Sequence, residues 1–175
     1  MVQPMVRKLS VAALAALMVL AQGCARKPEQ RAETKSAQAL LASAWSDDTR
    51  GFEAVIDRSA LRADLRQQLL EVARANMLAV EGGASDAALD RMITPHAFRL
   101  VEAQTGAPLT HAPTAEQTAA LLKPLGKDRV CLHDQTPQQT CLLTFARSKD
   151  QWRLVGMAPA GFTIPVPPVD ETEAS

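Results

Sequence analysis

The sequence predicts an α+β domain, several helices packed on one face of a three-stranded antiparallel β-meander, and three observations carry that prediction. Apolar residues recur at steps of three and four through VIDRSALRADLRQQLLEVARANMLAV (55–80), the period of an amphipathic helix. After Pro124-Leu125-Gly126 the period becomes extended, with strands expected at 129–133, 140–147 and 151–158 between turn-type sequences. Between these regions, short apolar runs each follow a residue able to cap a helix.

The chain opens with a polar stretch holding Arg7 and Lys8, then a nearly unbroken apolar run of thirteen residues, 9–21. A membrane-spanning helix needs about 20 apolar residues, so 1–23 reads as an export signal. LAQGCARKPEQ follows, and Cys24 directly after Gly23 resembles the lipobox of bacterial lipoproteins, with Ala21 where Leu is usual and Leu20 one step earlier. The resemblance implies a diacylglyceryl group on the Cys24 thiol, cleavage before it and acylation of the new amine. Ala25 after the cysteine implies sorting to the periplasmic face of the outer membrane. Two acyl chains hold a protein stably, each buried CH₂ contributing ~0.8 kcal/mol.

Residues 24–35 read as the lipid-bearing cysteine and a charged tether without apolar periodicity, at most ~40 Å long when stretched. A single domain is expected over 36–160. Its first helix is SAQALLASAW, followed by Asp47 and Asp48 as caps for the next. Asp57 or Ser59 caps the long helix, which turns Leu61, Leu65, Leu69, Val72 and Asn76 to one side. The other side carries Arg58, Arg62 and Arg66, like charges that repel unless partnered. That stripe reads either as a solvated face or as an anion-binding face for lipid headgroups or an acidic partner. Ser85 or Asp86 opens a helix through Ile93, with Asp86 and Asp90 expected toward solvent. Thr94-Pro95 starts another expected helix, 96–104, stopped at Gly106. Thr114 and Gln117 form a capping box for a helix ending near Lys123. The Pro-rich, acidic tail 161–175 is expected to be a strap as far as Val166 and disordered beyond.

Assigning Cys24 to lipid leaves Cys131 and Cys141, an even pair in a compartment that permits disulfides. Facing fixes a register. A turn centred between Ser148 and Lys149 pairs Phe145 with Trp152, Leu143 with Leu154 and Cys141 with Gly156, and a turn centred on Thr136 sets Cys131 opposite Cys141. Both cysteines then share the apolar face with Leu143, Phe145, Trp152 and Leu154. Opposed strand residues lie within disulfide reach; the alternative is two buried thiols.

Without 1–23 the chain has 152 residues and 17 basic against 19 acidic groups, and the full sequence has six aromatics and no Tyr. It lacks the basic surface and stacking residues of nucleic-acid binders. No nucleophile elbow, phosphate loop, dinucleotide fingerprint or zinc-type spacing is found, so neither a cofactor nor a metal is expected. His96, His111 and His133 are scattered, and His133-Asp134 at a turn suits backbone satisfaction better than acid–base work.

FEAVIDRSALRADLRQQL, ALDRMITPHAF and QWRLVGM together resemble the bacterial family catalogued as domain of unknown function 2939. The likeness runs over about residues 45–158. It implies one α+β domain in an envelope protein and transfers no functional residue. The leading expectation is a non-enzymatic envelope lipoprotein that binds an envelope protein or small ligand. A second is a small-molecule pocket protein or hydrolase with its site between helices and sheet. A third is an anionic-membrane-surface module using the Arg stripe.

Overall fold

The structure is a computed structural model that describes residues 27–78, 83–158 and 162–168. The leader, Cys24 and the end of the tail lie outside the described residues. Helix α1 (Lys27–Trp45) is followed by α2 (Thr49–Ala54), α3 (Arg58–Ala75) and α4 (Asp86–Met92). A single 3₁₀ turn (Pro95–Ala97) leads into β1 (Phe98–Glu102). Then come α5 (Ala115–Leu121), β2 (Leu122–Pro124), β3 (Arg129–His133), β4 (Cys141–Ser148), β5 (Gln151–Met157) and β6 (Phe162–Val166).

The α+β class stands, but the sheet is larger than a three-stranded meander. A four-stranded antiparallel sheet runs β2-β3-β4-β5, and β1 pairs with β6 in a separate parallel ribbon. Two segments expected as helix are therefore strand. Phe98–Glu102 is extended because Phe98, Leu100 and Val101 are buried beside β6, a partner more than sixty residues downstream. Leu122–Pro124 leaves α5 to pair with Val130–Leu132.

Local chemistry sets the helix starts. Asp48 accepts a hydrogen bond from the Gly51 N–H, Asp57 from Ala60 and Ser85 from Ala88, each satisfying an N–H that the first turn leaves free. The Ala60 N–H and Ser59 hydroxyl also hold the Asp57 carboxyl below its ordinary value. The Thr114/Gln117 capping box forms in both directions. Helix α1, by contrast, begins at Lys27, so most of the stretch expected as an extended tether is helical.

Ala37, Leu40 and Leu41 of α1 are fully buried and join Phe52, Leu61, Leu65, Leu89, Leu143, Phe145, Leu154 and Ile164 in one core. Helix α3 lies along the outer edge of β5. Leu154 exchanges backbone bonds with Val55 and Asp57, making a parallel bridge at Ile56. Farther along, Asp64 accepts from the Met157 N–H at 3.1 Å and Gln68 donates to the Met157 carbonyl at 2.9 Å. Gly156 is tied to this packing, since a Cβ there would sit 3.2 Å from the Asp64 carboxylate.

Both hairpin registers differ from expectation. Lys149 and Asp150 take φ of 49° and 65°, the left-handed pair of a type I′ turn, so the loop closes one residue later than expected. Phe145 therefore pairs with Leu154 and Arg147 with Trp152; past an irregularity at Thr144/Phe145, Leu143 pairs with Met157. The first hairpin also closes one residue later than expected, with Asp134 bonding Thr140 and His133 opposite Cys141, and an irregularity at Leu132/His133 then sets Cys131 opposite Thr144. One extra residue reverses facing. Leu143 and Phe145 keep the core face and Leu132 joins them there, whereas Cys131 and Cys141, expected on that face, lie together on the other.

Candidate functional site

The two cysteines are joined diagonally rather than directly across the ladder. Their Cα atoms are 5.7 Å apart and their Sγ atoms form the Cys131–Cys141 disulfide, bridging a separation of ten residues. The register change brings them together: Cys131 sits two places before Cys141's partner, His133, on the same side of β3.

At the mouth of that hairpin is a cavity of about 120 Å³ lined by Leu121, Lys123, His133, Asp134, Thr136 and Gln139, among others. Ligand pockets commonly occupy roughly 300–1,000 Å³, so this one suits a few atoms or a water cluster. Its polar groups are engaged with the hairpin. The Asp134 Oδ1 accepts from the Thr136 N–H (3.2 Å), the Thr136 hydroxyl (2.8 Å) and the Thr140 N–H (2.9 Å). Burial alone would push the Asp134 carboxyl up, but these donors together bring it below its ordinary value. His133 Nδ1 meets the Gln139 carbonyl, and the Lys123 ammonium donates to the Gln139 side chain. His133 and Asp134, adjacent in sequence, thus serve different backbone groups of one turn.

The Arg stripe lies elsewhere and has partners. Arg58 bonds Glu53 and, at 2.9 Å, Asp90; Arg62 donates to the same Asp90 oxygen at 2.8 Å and lies 3.6 Å from Asp86, which also pairs with Arg66. The stripe expected to face solvent or an anionic surface instead alternates with carboxylates of α2 and α4. Asp86 stays exposed, as expected, while pairing with Arg66, whereas Asp90, expected toward solvent, is half-buried against Arg58 and Arg62. Four residues apart on α4, they fall on one face, as the arginines do on α3. The pattern had both signs, but only the crossing of two helices could show that they meet.

Arg62 and then Arg58, as hydrogen-bond donors and charges, lower the Asp90 carboxyl from 3.8 to about 2. A depressed folded-state value means that the contribution is present above the unfolded value and lost as pH falls through the folded one. The expected result is a loosening of α4 on α3 between about pH 4 and pH 2, while α1 and the sheet persist. Carboxyl NMR titration checks it: an Asp90 midpoint near 4 in the folded chain would rule out the clasp.

Among the described residues no group of three His, Cys, Asp or Glu side chains is placed to hold a metal ion. No family model, no curated protein and no solved structure matches the chain. The candidate site therefore rests on geometry alone. Cys24, the remaining residue singled out by the sequence, lies outside the described residues.

Proposed function

We propose that this chain is a lipid-anchored protein of the bacterial envelope, held at the periplasmic face of the outer membrane, whose folded domain binds a protein or small ligand there without catalysing a reaction. The supporting observation is the division of its three cysteines. Cys131 and Cys141 close a hairpin disulfide, a bond that persists in oxidising compartments such as the periplasm. Cys24 is left unmatched, directly after an apolar leader and small residues, where a lipobox cysteine stands.

The binding role rests on how the polar groups are spent. His133, Asp134 and Lys123 organise a hairpin, and Arg58, Arg62 and Arg66 organise the α3–α4 packing. A small-molecule or hydrolytic site at the hairpin mouth is the lesser reading, because its cavity is small and its acid–base pair is divided. The resemblance to domain of unknown function 2939 brings no residue roles to either reading.

Cys24→Ser is expected to abolish fatty-acid labelling and move the protein out of the membrane fraction. A variant that labels and sediments like the wild type would sink the anchor. Crosslinking from the folded domain in intact cells then identifies what it binds.

A further inference from the structure

The C-terminal end of α3 exposes an apolar group. Met77 is 95% exposed, Leu78 63% and Val72 51%, the first two being the most exposed of the large apolar side chains noted on the surface. The helix closes there with the Leu78 N–H on the Ala73 carbonyl and the Met77 N–H on that of Arg74, a Schellman ending. Met77 takes φ of 55° at the position where glycine is usual. Single exposed apolar residues are ordinary; the location of this cluster gives it meaning.

Three features share that end of the domain. Helix α3 starts where Asp57 bonds Leu154 and passes Met157 at Gln68, so its C-terminus extends toward the 134–140 hairpin. Helix α5 also ends there, because Ala120 and Leu121 line the cavity at that hairpin's mouth. Helix α1 runs opposite to α5: Trp45 bonds the Leu109 carbonyl and Gln38 that of Pro113 as the chain approaches α5. The start of α1 therefore lies toward the end that carries Met77 and Leu78.

The lipid attachment site is close to that end. Only Ala25 and Arg26, three Cα-to-Cα steps, separate Cys24 from the first helical residue, Lys27. Three residues reach at most ~11 Å, and the helical rise from there to Ala37 adds about 15 Å. The acyl chains would thus be within about 26 Å of the buried core, less than the roughly 30 Å diameter of a small domain. A leash this short presents the α1-start end to the bilayer. Residues 135–140 at that end carry no charge and the Lys123 and Asp134 beside them are bonded to the hairpin, whereas Lys127, Asp128, Arg129, Lys149 and Asp150 cluster at the opposite end.

We propose that Met77 and Leu78 form a lipid-contact tip that enters the interfacial layer of the membrane holding the Cys24 acyl chains. The proposal rests on the anchor reading. The tip fixes the orientation of the domain, leaving the charged sheet end directed away from the membrane.

The test places a photoreactive diazirine residue at position 77 or, as the control, at position 125 in the full chain in intact cells. Leu125 is 51% exposed at the opposite end, so both positions tolerate replacement. Phospholipid adducts from position 77 and only background from position 125 are expected. Adducts to protein alone at 77, or equal lipid adducts at both positions, would overturn the tip. Fatty-acid labelling of the same samples separates the two readings: a labelled chain without lipid adducts at 77 sinks the tip and leaves the anchor. An unlabelled chain without them sinks both.

Discussion

Phe52→Ala is expected to lower stability by about 3 to 5 kcal/mol, read as a fall in the urea midpoint with the slope unchanged. Phe52 is fully buried, and its ring meets Phe98 edge-on with centroids 5.5 Å apart and planes at 61°. It joins α2 to the strand that begins the parallel ribbon, both of which also pack on α1. Truncation removes the buried ring and leaves a cavity whose walls are fixed by different elements, so collapse is limited. Phe52→Leu keeps much of the volume and is expected to cost about 1.5 kcal/mol or less. If Phe52→Ala unfolds at the wild-type midpoint, the ring is not enclosed and the core assignment fails.

Replacing Cys131 and Cys141 together with Ser is expected to cost about 2 to 3 kcal/mol. The bridge spans a sequence separation of only ten residues, so it removes less freedom from the unfolded chain than a long crosslink would. Reductant should lower the wild-type midpoint and leave the double variant unchanged. Two titratable thiols in unreduced, delipidated protein, beyond any at Cys24, would overturn the bridge.

Features that depend on neighbours in sequence were legible before the fold was known. Asp48, Asp57, Ser85 and the Thr114–Gln117 pair announce helix starts because a cap and the N–H it satisfies are three residues apart. Strands β3, β4 and β5 were readable from alternation. Phe98–Glu102 was not: FRLVE accepts either state, and its partner is β6. Leu122–Pro124 was hidden for the same reason, its extended state being set by β3. Register failed first at the turns, each of which closes one residue later than expected, and again at the irregularities at Leu132/His133 and Thr144/Phe145, because apolar facing alone cannot count an extra residue. For the candidate sites, the cysteine pair was recoverable by arithmetic although its opposed geometry was not. The meeting of Arg62 with Asp90 required the packing of two helices.

The attachment of α3 along β5 also bears on how copies of the domain meet one another. An unpaired strand edge is a template for joining neighbours into sheets. Here Val55, Asp57, Asp64 and Gln68 occupy hydrogen-bonding groups on the outer edge of β5. The other edge, β2, is only three residues long and contains Lys123 and Pro124, a charge and a missing donor that discourage further pairing. The fold thus guards both sides of its main sheet against edge-to-edge pairing, so these domains can stay separate molecules even when crowded.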